Sequence, residues 1–205
     1  VIRLVHSVML KFTLSEGKED AFTQRLWSTS TNVASAAMAL AQHLELGEDM
    51  ADDLYSIGLF HDAGMALILD QSDDYPDVVK QAYNQSDVTL SEYEVENIRT
   101  SHELLGFLLS QTWGLTAQLS NVIAYHHSPL IILATGSSKE KQMLALLKLA
   151  EHMTGLPELL TGCTLDVEWD KYGDRLLRVL ALESFQLPEL GEALDEKGVG
   201  NIYHR

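Results

Sequence analysis

Apolar residues recur along this chain at spacings of three and four, not at two, and that period makes helices the main element. Proline is scarce to match: Pro76, Pro129, Pro157 and Pro188 are the four in 205 residues, and three of them sit at natural breaks. The periodicity predicts one helix from Asp20 to Leu46, with Leu26, Val33, Ala37 and Leu40 on one face and Gly47 as its stop. A second starts at Glu48-Asp49, acids suited to a first turn, and carries Leu54, Ile57 and Phe60 onward to Leu69. A polar loop from Asp70 to Pro76 and a short helix over Asp77 to Gln85 follow. Ser91 and Glu94 have the spacing of a capping box, opening a helix that ends near Trp113-Gly114. Thr116 caps the next, which stops at Ser128-Pro129. Helices over Ser138 to Thr154, Tyr172 to Leu182 and Leu187 to Leu194 complete the chain. The expected fold is all-α, a compact bundle of about six to eight helices.

Charge narrows the partners. With 14 Lys+Arg against 30 Asp+Glu, the formal charge is −16. Such a surface repels phosphate backbones, and no Lys/Arg cluster overcomes that, so neither nucleic acid nor an anionic membrane is an expected partner. A small phosphorylated substrate stays open, because a metal ion reverses the field inside one pocket. Hydrophobic residues at 46% and charged residues at 21% give an ordinary globular balance. The single cysteine, Cys163, excludes a disulfide framework and a multi-cysteine zinc site and is assigned no role. No apolar run approaches the roughly 20 residues of a membrane span. Val1-Ile2-Arg3-Leu4-Val5-His6 has neither a basic leader nor a cleavage site, and reads as the middle of an amphipathic helix. The expectation is a cytoplasmic protein with natural sequence in front of Val1.

Chemistry is sought where polar residues fall on apolar faces. His102 lies four residues after Ile98 and three before Leu105, on a face where the core should be. His126 stands at helical spacing from Leu119, Val122 and Ile123, and His127 is four residues from Ile123. Glu151 follows Leu144 and Leu147 by seven and four. His61 and Asp62 close the apolar run Ile57 to Phe60 before another begins at Met65. One inward histidine is more often satisfied by a backbone carbonyl than by an ion. Several inward imidazoles and carboxylates on separate helices form a different pattern, the mixed donor set of a divalent transition metal. Asp62 could bridge a second ion, and a two-metal clamp is one way to hydrolyse phosphate esters.

Gly58-Leu59-Phe60-His61-Asp62-Ala63-Gly64, His102-Glu103-Leu104-Leu105-Gly106, Trp113-Gly114-Leu115 and His126-His127-Ser128-Pro129, in that order, resemble the HDOD domain, the HD-related output domain. That family is related to the HD and HD-GYP metal-dependent phosphohydrolases. Leu26-Trp27 with Ser30 and Ala34 resembles the family's preceding helix, and Leu149-Ala150-Glu151 its later Ala-Asp position. The resemblance implies an HD-type helical bundle over residues 26–195. Residues 1–25 would be the end of a preceding, truncated helical segment, and 196–205 a loose tail. It implies a metal set of His61, Asp62, His102, His126, His127 and Glu151, holding one or two ions of Fe, Mn, Ni or Zn, with Asp62 essential to any catalysis. Three departures weaken the catalytic reading. Thr29 stands where an early histidine is expected, Met65 where active relatives often carry Lys, and Ser128-Pro129-Leu130-Ile131 lacks the Gly-Tyr-Pro signature of cyclic-dinucleotide hydrolases.

Other features read structurally. Trp27, Trp113 and Trp169 are expected as core anchors rather than pocket walls. Gly58, Gly64 and Gly106 allow close helix approach, and Met65 fills core. Arg99 and Lys148, three residues before His102 and Glu151, are candidates to face a bound phosphate, against the plainer reading of solvated side chains paired with nearby acids. His6, His43 and His204 are expected at the surface. The favoured reading is a non-catalytic module of bacterial signal transduction, with a signalling protein or a small nucleotide as partner. The alternative is a metal-dependent phosphohydrolase acting on a nucleotide or phosphodiester.

Overall fold

The computed structural model describes residues 20–200 and 202–204. The expectations for the N-terminal helical segment and for His6 lie largely or wholly outside these residues. Every regular element described is helical. In chain order these are α1 (Ala21–His43), α2 (Glu48–Phe60), α3 (Ala63–Leu69), α4 (Tyr75–Tyr83), α5 (Leu90–Ile98) and α6 (His102–Thr112). Then follow α7 (Ala117–Ala124), α8 (Pro129–Thr135), α9 (Ser138–Thr154), α10 (Leu156–Thr161), α11 (Val167–Val179) and α12 (Leu187–Glu196).

The long helices begin and end where local chemistry says. Asp20 accepts the Thr23 amide at 2.8 Å and opens α1, which buries Leu26, Val33, Ala37 and Leu40. Thr116 caps α7. A complete capping box of Ser137 and Glu140 opens α9, and Gly155, left-handed at φ 67°, ends it. Every residue of α9 from Met143 to Glu151 is buried, so α9 is the central helix, enclosed on all sides. Met65 fills core as expected, and Trp27 is a core residue. Trp113 packs its ring 4.9 Å from that of Phe60.

The helices are shorter and more numerous than the periodicity predicts, because tertiary contacts break them. The expected run from Glu48 to Leu69 stops at Phe60, turns through His61-Asp62 and restarts at Ala63. The expected run from Ser91 to Trp113 breaks at Arg99, which is left-handed at φ 63°, and Ser101 caps a new helix there. The capping box belongs to Thr89 and Glu92, not to Ser91 and Glu94. His126 and His127 lie in a turn after α7 rather than on a helix face. Pro129 then starts α8, and α11 begins at Val167, ahead of the expected Tyr172. At the C-terminal end a 3-10 turn over Ile202–His204 brings the Tyr203 hydroxyl 3.4 Å from His152 Nε2. His43 is exposed.

Two glycines set the distances that matter for the site. A Cβ on Gly58 would lie 2.6 Å from Ala34 Cα, so α2 meets α1 backbone to backbone. A Cβ on Gly64 would lie 2.0 Å from the His102 carbonyl oxygen, so α3 rests directly on the start of α6. That second contact brings the His61-Asp62 turn against His102.

Candidate metal centre

Asp62, His102, His126 and His127 each offer one donor atom, and these atoms all lie within 4.8 Å of one another. Asp62 Oδ1 is 3.5 Å from His102 Nε2 and 3.4 Å from His126 Nε2. Its other oxygen, Oδ2, is 3.1 Å from His61 Nε2. His61 Nε2 is in turn 4.0 Å from Glu151 Oε1. Four of the six expected ligands thus form one tight group, and His61 and Glu151 flank it on the Oδ2 side. All six are at least nine-tenths buried.

Each imidazole is oriented from behind by an oxygen that can only accept. His61 Nδ1 faces the Gly58 carbonyl at 2.9 Å, and His126 Nδ1 faces the Ile123 carbonyl at 2.8 Å. His102 Nδ1 faces Glu94 Oε2 at 2.7 Å, and His127 Nδ1 faces Glu168 Oε1 at 2.6 Å. A proton is therefore assigned to every Nδ1, and every Nε2 points inward, where it meets a proton or an ion. This backing is how proteins fix the tautomer of metal-binding histidines. Its consequence is unfavourable without a cation. His102 Nε2 and His126 Nε2 face each other at 3.3 Å, so a proton or an ion must stand between them. His61 Nε2, His127 Nε2, both Asp62 oxygens and Glu151 Oε1 are buried with no hydrogen-bond partner. Each such group costs about 1–3 kcal/mol if left unsatisfied. A divalent cation among them satisfies several at once, so the residues fit an ion of the kind that takes imidazole and carboxylate together.

Burial works against charge on His61, but Asp62 and Glu151 outweigh it and raise His61 above the usual histidine value. Burial penalises the Asp62 carboxylate, but His61 and the other imidazoles outweigh it and hold Asp62 well below the usual carboxylate range. Burial, reinforced by His127, pushes His126 far down, so it is a neutral ring. Burial also works against charge on His102, yet Glu94 beside it prevails and carries the ring to about 9. In the ion-free cluster a proton on His102 is the cation that separates the facing lone pairs. Proton and metal compete for the same nitrogen.

Three carboxylates of the site were not singled out from the sequence. Glu94 accepts from the Tyr75 hydroxyl, from His102 Nδ1 and from the His102 backbone amide at 2.9 Å. Its spacing to Ser91 reads as a cap, which hides it. Glu103 accepts the His127 amide at 2.8 Å, fixing the turn that carries both histidines. Glu168 is remote in sequence from His127, and no spacing announces it. The expected early ligand position, Thr29, spends its hydroxyl on the Arg25 and Leu26 carbonyls, each at 2.9 Å.

A cavity of about 180 Å³ adjoins the centre. Its walls include Tyr83, Trp169 and Tyr172, and its floor is His127, Lys148 and Glu151. Trp169 packs against the core as a partly buried residue, also lines the cavity, and stacks on His152 at 4.3 Å. Asp166 caps α11 by accepting the Trp169 amide at 3.1 Å. Lys148 is not a solvated side chain. It is buried and clamped between two carboxylates, Glu151 at 2.5 Å and Glu168 at 2.6 Å. Arg99 is exposed at the end of α5 and does not line the cavity. The Cys163 thiol donates to the Tyr83 carbonyl behind the cavity wall at 3.2 Å.

The comparisons with known proteins agree with this geometry. No curated protein matches the chain. A solved structure of an HDOD domain protein with unknown function from Geobacter sulfurreducens superposes with a TM-score of 0.59 at 20% identity, covering 92% of this chain and 70% of that one. A structure from Shewanella amazonensis, named "Putative phosphohydrolase", superposes with a TM-score of 0.59 at 16% identity, covering 97% of this chain and 71% of that one. These likenesses show the all-helical fold. The HDOD domain family matches residues 1–129, a stretch that includes His61, Asp62, His102, His126 and His127, and the chain belongs to that family.

Proposed function

We propose that this chain is a non-catalytic regulatory module of bacterial signal transduction, whose HD-type centre holds a divalent transition metal as a structural ion. The observation that carries the reading is the closure of the centre. His61, His102, His126 and His127 all turn a backed imidazole to one interior spot, and none of the four is more than 3% exposed. Structural metal sites are closed in this way, whereas catalytic ones keep a position open to water and substrate. The cavity touches the centre through His127, Glu151, Lys148 and Glu168; Asp62, His61, His102 and His126 do not line it. Thr29 and Met65 at the family's early-histidine and lysine positions point the same way. In this role the ion holds the turns after α2 and α7 against α6, and the surrounding helical surface engages a signalling protein. A small nucleotide is the alternative ligand, and the adjoining cavity with its aromatic walls is where it would bind.

One observation favours the second reading, a metal-dependent phosphohydrolase. The two Asp62 oxygens face different histidines, as a carboxylate bridging two ions does. Bound metal would then supply an activated water, and His127 and Glu151 at the cavity floor would be nearest to substrate. The test purifies the chain without a histidine tag, measures metal content, and assays nucleotide and phosphodiester hydrolysis with added Mn²⁺, Fe²⁺ or Ni²⁺. Bound metal without turnover is the expected result. Turnover that disappears in Asp62→Ala overturns the regulatory reading in favour of the enzyme. No ion and no turnover removes the metal from both.

A further inference from the structure

Lys148 is the one Lys or Arg side chain buried among the described residues, on a helix otherwise enclosed by apolar packing. A buried ammonium persists where its charge is answered. Here Glu151 Oε2 accepts from Nζ at 2.5 Å, and Glu168 Oε2 lies 2.6 Å from Nζ as an ion pair. Both carboxylates also touch the metal centre. Glu151 Oε1 lies 4.0 Å from His61 Nε2, and Glu168 Oε1 holds His127 Nδ1. The centre thus has two halves that share Asp62. Oδ1 faces His102 and His126; Oδ2 faces His61, beyond which stands Glu151.

The halves differ in what cation they already contain. Around Oδ1 the donors are imidazole lone pairs and a carboxylate, with no Lys or Arg beside them. Around Oδ2 the carboxylates come with an ammonium already seated between them. We infer that Lys148 is the resident cation of the second half, so that the chain holds one divalent ion where a bridging aspartate with both halves open would hold two. The inference rests on the metal reading given above. The physical reason is twofold. Nζ occupies Glu151 Oε2 and neutralises Glu168, which leaves that half three donors, His61 Nε2, Asp62 Oδ2 and Glu151 Oε1. A fixed positive charge beside that position also repels a second divalent ion, and burial makes the repulsion stronger than it would be in water.

The experiment counts ions. The full chain and its Lys148→Ala and Lys148→Met variants are equilibrated with Mn²⁺, freed of excess, and analysed for metal per chain, with far-UV circular dichroism to establish folding. The expected result is one ion for the wild type and two for a folded Lys148 variant. The count returns to one in Lys148→Met/Glu151→Gln. Electron paramagnetic resonance of the wild type gives a second readout that needs no variant: an isolated Mn²⁺ signal is expected, and a spin-coupled pair overturns the inference. One ion in both the wild type and a folded Lys148 variant overturns the inference and leaves the metal reading standing. No ion in any of them overturns the metal reading itself.

Discussion

The two sides of Asp62 solve the same problem in opposite ways. On the Oδ1 side, buried imidazole nitrogens converge with no Lys or Arg beside them, and the positive charge between them is a proton or an ion taken from solution. On the Oδ2 side, one oxygen each of Glu151 and Glu168 is answered from inside, by a lysine on the same helix as Glu151. Burying a charge is costly in either case. If Lys148 acts as inferred, a centre built on one shared carboxylate is selective in number: one half takes an ion, and a lysine stands beside the other.

The contrast yields expectations of graded size. The largest falls on the lysine. Lys148→Ala in the presence of chelator takes the ammonium from buried Glu151 and from half-buried Glu168, which keeps His127, and breaking a buried pair costs about 3–5 kcal/mol. The urea midpoint should fall accordingly and recover in part when Mn²⁺ is supplied; no recovery means that the half does not accept an ion. Next comes removal of the ion from the wild type. At free metal 100-fold above its dissociation constant, binding contributes about 2.7 kcal/mol, which chelator should remove. Asp62→Ala should melt at the same temperature with and without metal, and a metal-dependent melt in that variant would place the ion elsewhere. A smaller effect is expected behind the ligands. Glu94→Gln leaves His102 without its carboxylate and should weaken metal affinity about 10–100-fold, as loss of such backing groups does. Calorimetric titration reads this, and an unchanged affinity would mean that His102 does not bind the ion. The smallest is Arg99→Ala, an exposed change expected to stay within about 0.5 kcal/mol in stability and to leave metal affinity alone. A clear loss of affinity there would bring Arg99 back as a site residue.

Much of this was legible in the order of residues. His102 falls on an apolar face, His61 and Asp62 close an apolar run, and Glu151 sits at core spacing, so each announces a polar group in the interior. The converse signal fails for Glu94 and Glu168. Glu94 reads as the partner of Ser91 because Thr89-Glu92 and Ser91-Glu94 both have capping spacing. Glu94 is instead drawn inward by Tyr75 and His102, which leaves Thr89 and Glu92 to cap the helix. Glu168 meets His127 across a long stretch of chain, and no local pattern records that meeting. Lys148 was noted as a candidate but read as solvated, because helical spacing says which face a residue takes and not how deeply the helix is enclosed.

The chain's own pattern established that it is all helix, where α1 and α9 run, and that His61, Asp62, His102 and Glu151 face inward, because periodicity and caps act over a few residues and need no distant partner. It did not establish that the helices break at His61-Asp62 and before Ser101, or that Asp62 divides its two oxygens between different neighbours. Those follow from contacts between segments far apart in sequence. Gly64 pressed on the His102 carbonyl and Lys148 enclosed between Glu151 and Glu168 are settled by packing, whose energy depends on what lies alongside rather than on what comes next.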